Sequence, residues 1–126
     1  MVQCPEITMS RLGADAQGES HFAELLVATT SREFAPPAPP LCVSPPTKAQ
    51  HHVFLVVPVG WYGEPHPSPT RQIFSVLRGT FELTASDGER RRYAAGDFAI
   101  LEDTSGKGHA SRNAGNEPVL LSITQF

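Results

Sequence analysis

With 126 residues, 40% of them hydrophobic, the chain is long enough to bury one core of ordinary size and reads as a single domain. No apolar run approaches a membrane span, which argues against a membrane partner. A net charge of −3 supplies no basic face for phosphates, which argues against nucleic acid.

Residues 1–20 lack periodicity and end in a polar run, so they are expected to be a loosely held lead-in. The N-terminus has neither a basic nor an apolar segment of the kind that directs export, so a cytoplasmic protein is expected. Cys4 and Cys42 stand in no metal or redox spacing and read as reduced thiols. The stretch from His21 to Thr30 fits a helix or a strand by pattern, and its β-branched end favours a strand. Ala35 to Pro40, with Pro45 and Pro46 soon after, is too rich in proline for a helix or central strand. It is expected to be an extended, polyproline-type connector along the domain. Residues 1–50 thus form an N-terminal strand and proline-rich lead-in, and residues 51–126 form the core.

His51 to Val59 is β-branched and aromatic and predicts a strand. Its neighbouring His51 and His52 point to opposite faces, so they are not expected to share an ion. Gly60 to Thr70 is a loop dense in turn formers. Strands follow at Gln72–Arg78 and Phe81–Ser86, the second closed by the hairpin signal Asp87-Gly88. Glu89–Tyr93 returns, and its run Arg90, Arg91, Arg92 alternates faces and reads as a solvated strand. Further strands are predicted at Phe98–Leu101, His109–Asn113 after the Gly106–Gly108 reversal, and Val119–Gln125. Many short strands joined by tight turns, with no helix after residue 40, predict a sandwich or barrel.

Two groups of residues carry a resemblance. In the first, Gly60 is followed by His66, Ser68, Gln72 and a closing Gly79. In the second, Gly96 leads through Glu102–Gly108 to His109 and Asn113. Their order and spacing resemble the two motifs of the cupin family, with Ser68 where that family has a second histidine and Gln72 where it has a glutamate. The variant is similar to a bacterial single-domain subgroup with a degenerate first motif. The resemblance implies an all-β fold, a small antiparallel double-stranded β-helix (the jelly-roll or cupin barrel), with a pocket at one mouth. It also implies an ion held there in many members by three histidines and a glutamate.

Period two places His66, Ser68, Gln72, Phe74 and Val76 on one face if the strand runs unbroken through the prolines, and His109, Ser111 and Asn113 on another. His66, Gln72 and His109 are therefore the candidate metal ligands. A neutral Gln72 carbonyl and a Ser68 hydroxyl in place of carboxylate and imidazole predict a weakly bound divalent ion (Fe, Mn, Ni or Zn). Glu64 and Asp103 are candidates for the missing negative charge. Tyr62, Phe74, Val76 and Ser111 complete the expected pocket, which suits a small, partly apolar organic ligand. Three readings stay open: metal-dependent oxygenase or isomerase chemistry, metal-free binding of a small ligand, and a purely structural barrel. Arg71 and Arg112 fall on the opposite parity and are not assigned to an anion. Short strands with exposed edges further predict a homodimer.

Overall fold

The computed structural model describes residues 3–126. It contains twelve strands and, among the described residues, no helix, hence none long and apolar enough to cross a membrane. The strands are β1 (Ile7–Ala14), β2 (Ser20–Val27), β3 (Thr30–Arg32), β4 (Leu41–Val43), β5 (His51–Val57) and β6 (Tyr62–His66), followed by β7 (Gln72–Arg78), β8 (Phe81–Ala85), β9 (Arg90–Tyr93), β10 (Phe98–Glu102), β11 (His109–Asn113) and β12 (Val119–Gln125).

A six-stranded sheet in the order β2-β1-β10-β7-β12-β5 faces a four-stranded sheet in the order β6-β11-β8-β9, giving a jelly-roll barrel. Phe74 is the clasp between the two. It projects from β7 and meets Phe81 and Tyr93 of the opposite sheet edge-on, at ring separations of 5.6 and 5.1 Å. Leu12, Leu83, Leu121 and Val76 seal the interior around it, each at most 1% exposed.

Three expectations are corrected here. The lead-in is not loose: β1 pairs antiparallel with β2 on one side and parallel with β10 on the other. Met9 and Leu12 stand on opposite faces of β1 and both are buried, so the strand carries no period-two signature. The proline run is not a stiff crossing; it forms the turn of the small β3–β4 hairpin, whose tip is closed by the Ala38 amide donating to the Ala35 carbonyl. Cys4 and Cys42 are not free thiols but a disulfide that ties the segment before β1 to β4. Thirty-eight residues apart in sequence, they come together because β1 and the hairpin share one flank of the barrel.

A cavity at the barrel mouth

The prolines that crowd the first motif decide the site's geometry. Pro65, Pro67 and Pro69 do not let one strand continue. Instead β6 ends at His66 in the four-stranded sheet, and the chain crosses over to begin β7 at Gln72 in the six-stranded sheet. His66 and Gln72 therefore approach the interior from opposite walls rather than from one strand face.

His109 opens β11 directly opposite His66, with ring centroids 5.3 Å apart. Gly108 makes this approach possible. It has a positive φ of 69°, and a Cβ there would overlap the backbone carbonyl of His66. Gly63 acts similarly on β6, where a side chain would collide with the Trp61 ring, 2.5 Å away. That vacancy lets Trp61 fold over the cavity beside Ser111.

The cavity has a volume of about 420 Å³. Phe74, Phe81, Leu83, Leu121 and Ile123 form its inner walls, and Val53, Leu55 and Trp61 its rim. The polar groups that reach it are His66, His109, Ser111, Gln72 and Gln125. Five of the residues expected at the site, His66, Gln72, Phe74, His109 and Ser111, thus share one cavity. The other five lie outside its lining. Tyr62 and Glu64 flank Gly63 on β6 and are exposed, because the inward position between them is the glycine. Val76 sits deeper along β7 in the packed core. Ser68 and Asp103 are buried behind His109.

That buried pair sets the chemistry. Asp103, fully shielded from solvent, accepts a hydrogen bond from Nδ1 of His109 at 2.6 Å and one from the Ser68 hydroxyl at 2.8 Å. The Ser68 amide donates to the Asp103 carbonyl as well, locking the two loops together. This is not a nucleophilic serine triad, because the serine bonds to the carboxylate and not to the imidazole. Nδ1 of His66 donates to the Glu64 carbonyl at 2.8 Å. A carbonyl or carboxylate oxygen only accepts, so each neutral ring carries its proton on Nδ1 and presents Nε2 to the cavity as an acceptor.

The donor set does not fit a resident divalent ion. Two imidazole nitrogens are its only strong donors. Gln72 accepts from the Gln125 amide through Oε1 at 3.0 Å. The carboxylates of Glu64 and Asp103 do not line the cavity. Among the described residues, no group of three or more His, Cys, Asp or Glu side chains lies within reach of one ion. Nor does an arginine face the ligand space: Arg71 pairs with Glu102, and Arg112 with Glu82, on outer surfaces.

Trp61, Gln125 and the orienting role of Asp103 escaped the sequence reading. Gln125 was accessible by parity with Leu121 and Ile123 on β12. The role of Asp103 was not, since it depends on the positive φ of Gly106 and Gly108, which return the chain and bring Asp103 beside His109.

A sequence model described as a cupin domain matches residues 53–124. Six chains of known structure match the fold. One is the cupin domain of Schizosaccharomyces pombe Cnp3, with a TM-score of 0.51 at 20% identity over 94% of this chain and 81% of that one. No curated protein sequence matches.

Proposed function

The chain belongs to the cupin family, and from that footing we propose that its barrel binds a small, uncharged organic molecule without a metal ion. The observation that carries this reading is the pair of imidazoles, His66 and His109, whose Nε2 atoms open into a largely apolar cavity. The volume falls in the range of small-molecule sites. The walls suit an aromatic or branched aliphatic body. The imidazoles suit a single hydroxyl or other hydrogen-bond donor on it, with the Ser111 hydroxyl beside them able to donate or accept. Phosphorylated or multiply charged ligands are disfavoured, because no fixed cation lines the cavity to offset their desolvation.

Within this reading Asp103 is a positioning residue. It holds the His109 ring in one tautomer and one orientation, so that Nε2 is the atom that meets the ligand. The same nitrogen is placed to take a proton from a bound hydroxyl or activated C–H, which is the step a cupin enzyme of this kind would use.

The test is binding of 2-naphthol, a fluorescent ring with one hydroxyl, set against naphthalene, the same ring without it. Wild-type protein should bind 2-naphthol about tenfold more tightly than naphthalene, the worth of one hydrogen bond to a buried acceptor. His109→Ala and His66→Ala should erase that preference while leaving naphthalene binding in place. Equal affinity for the two probes in wild type, or a preference that survives both substitutions, would overturn the reading. Tight, stoichiometric uptake of a divalent ion that is lost in both variants would also overturn it.

A further inference from the structure

Cross-strand partners on β7 and β12 form rungs along the inner wall of the six-stranded sheet. Val76 lies opposite Leu121, Phe74 opposite Ile123, and Gln72 opposite Gln125. Every second residue of a strand faces the same way, so all these rungs point into the barrel. The Val76–Leu121 and Phe74–Ile123 rungs are apolar and buried. The last is a pair of primary amides, and both line the cavity.

Gln72 is 9% exposed, and its Oε1 accepts from Nε2 of Gln125 at 3.0 Å. Among the described residues, neither side-chain amide makes another hydrogen bond. The bond leaves an N–H of Gln72 and the carbonyl of Gln125 side by side and unpaired. Exchanging the roles of the two amides leaves the same complement, one donor beside one acceptor. Polar groups so far withdrawn from water are costly without partners.

We propose that the Gln72–Gln125 rung is a specificity-determining subsite that selects a cis-amide edge, the adjacent C=O and N–H of a lactam or primary carboxamide. The proposal rests on the reading of the cavity as a metal-free site for an uncharged organic molecule. The ligand carbonyl accepts from Nε2 of Gln72, and the ligand N–H donates to Oε1 of Gln125. Both contacts come from one wall, so the ligand's C=O and N–H must point the same way. Open-chain secondary amides are trans and turn them to opposite sides. A carboxylate has no donor and would set an oxygen against Oε1 of Gln125, with no cation in the cavity to offset its charge. A lone hydroxyl fills half of the subsite. His66 and His109 approach from the opposite wall, so the far end of the same ligand is the end that meets the imidazoles.

The test compares two probe pairs on wild-type protein. The first is 2-quinolone, a lactam, against 1-methyl-2-quinolone, whose N–H is gone. The second is 2-naphthamide against N-methyl-2-naphthamide, whose N–H lies trans to its carbonyl. The first member of a pair should bind about tenfold more tightly than the second, the worth of one hydrogen bond to a buried acceptor. A preference in the quinolone pair, the naphthamide pair or both supports the inference and says which kind of amide is taken. The side-chain NH2 resonances of Gln72 and Gln125 should shift with the preferred probe and not with its methylated partner. Gln72→Met combined with Gln125→Met removes both amides at nearly constant volume and should abolish the preference while naphthalene still binds. No preference in either pair, resonances that stay in place, or a preference that survives the double substitution would each overturn the inference. The preference for 2-naphthol over naphthalene reports on the histidines separately. If it holds while the amide preferences fail, this inference falls and the reading of the histidines stands. If it is absent, that reading falls, and the amide pairs still decide the role of the glutamines.

Discussion

The Asp103 carboxylate lies 2.6 Å from Nδ1 of His109, and neither side chain is more than 5% exposed. With Ser68 on its other oxygen, Asp103 satisfies two donors that water cannot reach. Asp103→Ala should cost about 3 kcal/mol, the cost of leaving a hydroxyl and an imidazole N–H unpaired in the interior. Asp103→Asn keeps one oxygen for the imidazole and lets the serine rotate to accept, so it should cost about half as much. Urea denaturation of the two variants reads both values. An alanine variant as stable as wild type would mean that the buried network has no energetic role.

Gly108 stands against the His66 carbonyl at a positive φ. Gly108→Ala should destabilise the protein by about 2 kcal/mol or more through backbone strain and the forced separation of β11 from β6. Because the displacement falls between the two histidines, the naphthol preference should fall in the same variant even at temperatures where it remains folded. Retained preference in a destabilised variant would show that the imidazole spacing is set elsewhere.

The physical reasons why parts of the molecule were legible differ from strand to strand. β7 and β12 alternate buried and half-buried residues along the sheet, and both bounds could be read directly. β1 is covered on both faces, so its burial follows no two-residue period and its strand went unread. At the site, both histidines could be placed in one pocket, yet not on their walls. A strand pattern drawn through Pro65, Pro67 and Pro69 puts His66 and Gln72 on one face, whereas the chain changes sheets between them. The hydrogen bond from His109 to Asp103 depends on a reversal whose shape comes from glycine dihedrals, which no hydrophobic pattern encodes.

On the outer face of the four-stranded sheet, Glu82 sits in register between Arg92 of β9 and Arg112 of β11. Hydrogen bonds from Arg112 first, then Arg92, outweigh the upward push of burial and bring the carboxyl from its ordinary 4.5 down to about 2. A depressed carboxylate contributes stability that is fully present above pH 4.5 and is lost as pH falls from there towards 2. Both arginines are substantially exposed, so solvent screening limits the contribution to about 1–2 kcal/mol. Glu82→Gln should lose that amount at neutral pH and show a shallower decline in stability across the acid range. An unchanged acid limb in urea titrations would show that other carboxylates govern it.

The Cys4–Cys42 bond is the feature that compartment reasoning inverted. Reduced thiols were expected because no motif linked the two cysteines, but their pairing depends on the β3–β4 hairpin returning alongside the start of β1. The loop it closes spans 38 residues in sequence. Chain-entropy estimates put the stabilisation from a loop of that length at ~3–4 kcal/mol. Protein unfolded without reductant should therefore show no thiol reactive towards Ellman's reagent. Cys42→Ser should lower the urea midpoint, and wild type should fall to the same midpoint on addition of dithiothreitol while the variant does not move. Two titratable thiols in unreduced protein would refute the bond. A midpoint indifferent to reductant would confine its role to holding the N-terminal segment locally, since β1 already has hydrogen-bonded neighbours on both sides.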